Sequence, residues 1–335
     1  MKVAVIFGGS SEERDVSIAS GLEVISAMRA RGHDVISVDT ARGLLSADAE
    51  RKLKGFKVLE NHPDSTDLEE VRSQLPVAVV NTPELKDVDI VFIALHGGTG
   101  EDGTFQAFLE VSGIPFTGSG RVASTIAMDK DISKRLMLAA SVPTPAWQMC
   151  NPADESIEVQ LGYPLIVKPN AQGSTIGLSL VRQSSELRAA VEKAGKFGHE
   201  IMLEAFVSGR EFTVGILDGH PLAVGEIVAP NEIFDYTSKY QRGGATEIFP
   251  AAISLAETQK IQDLAVRVHK ALKLSGYSRI DFRMDESGQF WCLEANSVPG
   301  LTPTSLLPQS AKAAGIEFSE LCERICLLGI KQHNC

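Results

Sequence analysis

Arg279-Ile-Asp-Phe-Arg-Met-Asp-Glu-Ser-Gly-Gln-Phe-Trp-Cys-Leu-Glu-Ala-Asn296 alternates polar and apolar residues without a break from Arg279 to Asp285, the period of a half-buried strand. A second strand is expected from Gln289. A two-residue turn at Ser287 and Gly288 pairs Glu286 with Gln289, Asp281 with Glu294 and Arg279 with Asn296. Ile280, Phe282 and Met284 then share an apolar face with Ala295, Leu293 and Trp291, while Arg279, Asp281, Glu294 and Asn296 gather on the other. Carboxylates opposed at about 5 Å between Cβ atoms repel, so a purely structural hairpin gains nothing from this pairing. A hard cation removes the objection: two carboxylates and an amide are oxygen ligands suited to Mg²⁺ shared between a protein and substrate phosphates, with Mn²⁺ able to substitute. A solvated face on an edge hairpin is the bland alternative. Against it stands the loop that follows at once, Ser297-Val-Pro-Gly-Leu-Thr-Pro-Thr-Ser305, whose composition brings backbone close to a ligand.

With 335 residues the chain is long enough for two or three domains, and 44% hydrophobic with 22% charged residues is the balance of a soluble globular protein, not a disordered one. A net charge of -11 without a Lys/Arg block argues against a nucleic-acid partner. The apolar run at Val3–Phe7 is too short for a signal peptide or a membrane helix, so a cytoplasmic protein without a membrane partner is expected. Five cysteines without a Cys-x-x-Cys pair support neither a disulfide framework nor a zinc site.

The N-terminal third reads as a parallel α/β unit, with strands at Val3–Phe7, Val35–Val38 and Val88–Leu95. A helix carries Val16, Ile18, Leu22, Ile25 and Met28. Glycine-rich loops follow the first and third strands, where ligands of parallel sheets bind. Gly8-Gly9 is not part of a Gly-x-Gly-x-x-Gly fingerprint, which rejects a dinucleotide site and an NAD-dependent oxidoreductase. One helix is expected from about Val122 to Ala140. Boundaries near 120 and 205 divide the chain into an N-terminal α/β domain (1–120), a central α+β subdomain (121–204) and a C-terminal α+β subdomain with lid and metal hairpin (205–335).

Leu165-Ile-Val-Lys168-Pro is a short buried strand ending on a lysine, followed by Asn170-Ala-Gln-Gly-Ser-Thr-Ile-Gly177 and a further strand at Leu178–Val181. A lysine leaving a strand beside a Gly-Ser-Thr loop binds phosphate through backbone N–H groups and an ammonium. It is not a Walker A loop, because Gly-Lys-Ser/Thr is absent and a strand follows.

Taken with the acidic hairpin, these residues resemble the ATP-grasp enzymes, and among them the D-alanine:D-alanine ligases, over nearly the whole chain. The resemblance rests on Gly8-Gly-Ser-Ser-Glu-Glu-Arg-Asp-Val-Ser17, Leu95 to Thr104, Thr117-Gly-Ser-Gly120, Met128-Asp-Lys130, Val167-Lys-Pro169 with Gly173-Ser174, Lys239-Tyr240, Gly276 to Asp281 and Glu294 to Thr302. It implies a three-domain ATP-grasp fold and ligation of two D-alanines through a D-alanyl phosphate, for peptidoglycan precursors. ATP is the implied cosubstrate, with two Mg²⁺ ions, in a homodimer. By the same resemblance Lys130, Lys168 and Lys239 hold phosphates under the Gly173–Thr175 loop, and Glu204, Val207 and Glu211 hold adenine and ribose. Asp281, Glu294 and Asn296 are the metal ligands; Arg279 and the Gly300 N–H stabilise the intermediate. Glu13 accepts the first substrate's ammonium and is linked through Ser174 to Tyr240. His96 lies near that substrate, and Ser305 with Leu306 near the carboxylate of the second.

From the residues alone, Glu13 can equally be an acidic residue favouring a helix start, His96 a satisfied structural histidine, Ser174 a turn residue, and Lys239-Tyr240 part of a polar surface segment. The phosphate loop reads Asn-Ala-Gln-Gly-Ser-Thr where many relatives have Ser-Arg-Glu-Gly-Ser-Ser. Two other functions compete. In D-alanine:D-lactate ligases the position of Tyr240 is typically not tyrosine, and a non-catalytic nucleotide-binding protein is expected to have lost a metal ligand or a phosphate lysine.

Overall fold

The computed structural model describes residues 1–53, 82–154, 156–229 and 244–334, and these residues are built on three sheets. In the first, β1 (Lys2–Phe7) leads through α1 (Arg14–Ala30) to β2 (Asp34–Asp39), the two-residue β3 (Gly43–Leu44) and α2 (Ala47–Leu53). β4 (Ile90–Ile93) and α3 (Thr104–Val111) follow, and the strand order is β3-β2-β1-β4. β1 runs parallel to both β2 and β4, as alternating strands and helices predict. Neighbouring parallel strands end side by side, so the loops after β1 and β4 meet. The Ser11 hydroxyl donates to the His96 carbonyl at 2.5 Å across them.

The single helix expected at 122–140 is two helices, α4 (Arg121–Met128) and α5 (Lys130–Ala139). Asp129 leaves the helical backbone at ψ 103° and caps α5, accepting from the Ile132 N–H at 2.9 Å. Its other partner is the Asn170 amide at 3.0 Å. The break places Lys130 on the first turn of α5, facing the interior.

The second sheet comprises β5 (Trp147–Cys150), β6 (Leu165–Pro169), β7 (Ser179–Val181) and β8 (Ile201–Ala205), antiparallel in the order β5-β8-β6-β7; α6 (Ser184–Ala194) precedes β8. The third comprises β9 (Arg210–Leu217), β10 (His220–Val228), β11 (Thr246–Ile248), β12 (Tyr277–Met284) and β13 (Phe290–Asn296), in the order β11-β10-β9-β12-β13. The helix α7 (Leu255–Ala271), begun by a Ser254/Glu257 capping box, covers it. After β13 come α8 (Leu306–Ala313) and α9 (Phe318–His333). Leu321, Cys322 and Ile325 of α9 return to the first sheet and share a core with Val3, Val5 and Val24. The described cysteines are all free thiols.

Asp281 pairs with Glu294 and Arg279 with Asn296, the register the alternation predicts, but the hairpin reaches it differently. Asp285 is bonded to Gln289 at 3.0 Å, so the turn holds three residues, Glu286 to Gly288, with Gly288 at φ +79°. An irregularity between Asp281 and Phe282 then gives Leu293 no partner and restores the expected pairing. The bulge also changes the faces. Phe290, Cys292 and Ala295, not Trp291 and Leu293, join Ile280, Phe282 and Met284 in the core, and Leu293 turns to the cavity on the polar side.

Candidate active site

A cavity of about 1150 Å³ runs between the three sheets. Its walls include Glu13 and His96 from the first sheet's loops, Lys130 from α5, and Lys168 and Gly173–Thr175 from β6 and its loop. Glu204, Val207, Glu211, Arg279, Asp281, Glu294, Asn296, Gly300, Ser305 and Leu306 complete the predicted set. All but two of the predicted site residues are therefore on one cavity. The two, Lys239 and Tyr240, lie outside the described residues.

Glu13 occupies the N-cap position of α1, yet its side chain makes no cap hydrogen bond. It turns into the cavity and accepts a hydrogen bond from the Ser174 hydroxyl. A purely local helix-start role is thereby excluded. Ser174 and Thr175 hold left-handed backbone at φ +47° and +63°, uncommon for a serine and strained for a β-branched threonine. Gly173 passes so close that a Cβ there would stand 3.0 Å from Glu13 Oε2.

His96 is buried, with Nε2 at 2.9 Å from the Ser20 hydroxyl and Nδ1 at 3.1 Å from the Val298 carbonyl. A carbonyl can only accept, so Nδ1 carries the proton and, in the neutral ring, Nε2 accepts from Ser20. Ser20 accepts in turn from the Leu301 N–H at 3.3 Å. Through its histidine the first sheet thus anchors the 297–305 loop. The Ser305 hydroxyl accepts from the Thr302 N–H at 3.1 Å, beside the N-terminus of α8.

The Lys130 ammonium donates to the Gln172 carbonyl at 2.6 Å and stands 3.3 Å from Glu294. Its side chain therefore joins the phosphate loop to the acidic hairpin. Lys168 is the penultimate residue of β6, which runs to Pro169 and not to the lysine as predicted, and its ammonium stands 2.7 Å from Glu204. The second Glu204 oxygen takes Lys134 at 2.5 Å. Burial works to raise the Glu204 carboxyl, but Lys134 and Lys168 outweigh it and hold the group below the usual carboxylate range. Lys134 is absent from any motif of the chain. Its signal is the spacing: Lys130, Ser133, Lys134 and Met137 form the buried stripe of α5, so two lysines face inward one turn apart. Glu247 of β11 also reaches the cavity, where burial raises its carboxyl.

Arg279 grips Asp281 with Nε at 2.9 Å and Nη2 at 2.8 Å. Asp281 further accepts from Thr213 at 2.7 Å and from the Asn296 amide at 3.0 Å. Among the described residues no three His, Cys, Asp or Glu side chains form a metal cluster. The hairpin set, two carboxylates and one amide on a cavity wall beside the phosphate loop, fits a hard divalent cation completed by ligand oxygens.

A lysine-bearing antiparallel sheet facing an acidic hairpin across a cavity, with the mainly parallel first sheet closing the end, defines a ligase of the ATP-grasp class. Family comparison narrows the class. Residues 2–119 match the family described as D-ala D-ala ligase N-terminus, and residues 137–327 match D-ala D-ala ligase C-terminus. The chain belongs to the D-alanine–D-alanine ligase family. It is 39% identical to the D-alanine–D-alanine ligase of Pediococcus pentosaceus, over 98% of this chain and 97% of that one. The crystal structure of the Bacillus anthracis D-alanine–D-alanine ligase complexed with ATP superposes with a TM-score of 0.77 at 30% identity, covering 100% and 99% of the two chains. The VanG D-Ala:D-Ser ligase of Enterococcus faecalis is equally similar, with a TM-score of 0.77 at 30% identity over 98% and 99%.

Proposed function

We propose that this enzyme joins two D-alanine molecules at the expense of ATP, through a D-alanyl phosphate. The observation that carries the reading is the meeting of Glu13, Ser174, the two lysines and the acidic hairpin on one cavity. Lys130 and Lys168 hold the phosphates, and backbone N–H groups of the strained Gly173–Thr175 loop close over them. Glu204, Val207 and Glu211 line the nucleotide end. Asp281, Glu294 and Asn296 would hold Mg²⁺, which when bound would neutralise phosphate charge. Glu13 takes the ammonium of the first D-alanine, leaving its carboxylate toward the phosphate site. His96 keeps that wall and the 297–305 loop in register. Arg279 and the Gly300 N–H stabilise the negative charge of the tetrahedral intermediate after the second amine attacks. Ser305 and Leu306, opening α8, receive the second carboxylate where helix N–H groups point outward. The roles of Lys239 and Tyr240 rest on the resemblance alone.

A division into units at 1–120, 121–204 and 205–335 accords with the three sheets, and a cytoplasmic homodimer is the setting the family implies. No helix among the described residues is long and apolar enough to cross a membrane. The test is phosphate release from Mg-ATP with D-alanine, beside L-alanine, D-serine and D-lactate mixtures, with product analysis. Release with D-alanine alone, yielding the dipeptide, is expected. A mixed product with D-serine or D-lactate in preference to the dipeptide overturns the assignment of the second substrate.

A further inference from the structure

Lys134 is 0% exposed and is not on the cavity wall, whereas Lys130, Lys168 and Glu204 are. A buried ammonium so placed cannot touch a nucleotide. All its partners are protein groups: Glu204 at 2.5 Å, the Thr144 hydroxyl at 2.6 Å and the face of Trp147 at 5.1 Å. Thr144 spends its own proton on the Cys292 carbonyl at 2.8 Å, so its oxygen is oriented to accept from Lys134.

Glu204 is thus flanked by two lysines, one on each oxygen. Lys168 must leave or share this carboxylate to meet a phosphate, and a buried carboxylate left alone is costly. We propose that Lys134 is a positioning residue, the standing counter-ion of Glu204, whose presence releases the Lys168 ammonium for the nucleotide phosphates. Two ammonium groups to one carboxylate leave one positive charge in excess. That excess falls on Lys168, the member of the trio that both carries positive charge and lines the cavity. Burial lowers the Lys134 ammonium, with Glu204 opposing. Without Lys134 the remaining pair would be neutral, with Lys168 committed to Glu204. The inference rests on the reading of Lys168 as a phosphate ligand.

The test is equilibrium binding of a non-hydrolysable Mg-ATP analogue to the full-length chain, with the KM for D-alanine measured alongside. For Lys134→Met the nucleotide Kd is expected to rise on the order of tenfold or more while the D-alanine KM stays within about twofold. Lys134→Arg, which keeps a positive charge beside Glu204, should leave the nucleotide Kd within about threefold of wild type. A merely structural role predicts a lower Tm with both constants unchanged, and that outcome overturns the proposal. Should Lys134→Met not fold, Lys134→Gln, which can still bond Thr144 and Glu204 without the charge, decides: a wild-type nucleotide Kd in that variant also overturns it. Lys168→Met separates the two readings. If it weakens the nucleotide and Lys134→Met does not, the positioning role alone falls; if neither does, the phosphate-site reading falls with it.

Discussion

The acidic hairpin and the Lys168–Gly177 loop face each other across the cavity, and they are held in place by different means. The hairpin is fixed by its own ladder and by pairing with β9, with Asp281 clamped by Arg279, Thr213 and Asn296. The phosphate loop loses its β7 partner after Val167 and its β8 pairing after Pro169. Left-handed Ser174 and Thr175 are kept in place by Glu13, 161 residues away in sequence, and by the Lys130 bond to Gln172. One wall is therefore preformed by local structure. The other is assembled by long-range polar contacts among the three sheets, and it is the wall that can respond when ligands replace those contacts.

If the hairpin is the rigid pole, removing one of its charges should stop the chemistry without disturbing the fold. Glu294→Gln is isosteric and keeps the strand, but removes the carboxylate proposed to hold the metal and the ion-pair partner of Lys130. A loss of kcat on the order of 10³-fold or more is expected, with unchanged far-UV circular dichroism. Turnover close to wild type would remove Glu294 from the metal set.

Breaking the other pole calls for a gentler change. Gly173→Ala puts a methyl group 3.0 Å from the Glu13 carboxylate, at a residue whose backbone is otherwise ordinary. Glu13 or the loop must yield, and the Ser174 bond with it. The expected effect is roughly tenfold in kcat/KM for the first D-alanine, about 1.4 kcal/mol, with the Kd for nucleotide less affected. An equal loss for both ligands would mean that the loop moves as one body and is not steered by Glu13.

The same contrast governs how far the amino-acid order discloses the site. The Asp281–Glu294 pairing is legible because side chains alternate with a period of two, and the bulge at Leu293 does not disturb the residues beyond it. Turn length is not legible from alternation: a two-residue turn with no bulge and a three-residue turn with one lead to the same carboxylate pair. They differ in whether Phe290 and Cys292 or Trp291 and Leu293 face the core. The helix break at Asp129 has a local signal, an aspartate able to cap, but the continuous pattern from Val122 to Ala140 conceals it. The Glu13–Ser174 contact has no local signal at all. It joins loops of two different sheets and is readable only through the family's motifs.

The turn offers the finest probe of what makes the hairpin rigid, because Asp285 organises it from within. Its carboxylate accepts from the Ser287 hydroxyl at 2.6 Å, the Trp291 indole at 2.7 Å and the backbone N–H groups of Ser287 and Gln289. The Ser287 and Trp291 side chains, then the backbone donors, bring its pKa from 3.8 to about 2. A carboxyl depressed on folding stabilises the native state fully above its unfolded pKa, and the contribution is lost as pH falls through the folded value. Between pH 5 and pH 2, then, the Tm advantage of the wild type over Asp285→Ala should shrink toward zero, from a gap on the order of 1–2 °C. The Trp291 indole N–H resonance, assigned with Trp291→Phe, should titrate with its midpoint near 2. A midpoint near 3.8 would show that the turn does not hold the carboxylate, and the hairpin's rigidity would then have to come from its pairing with β9 alone.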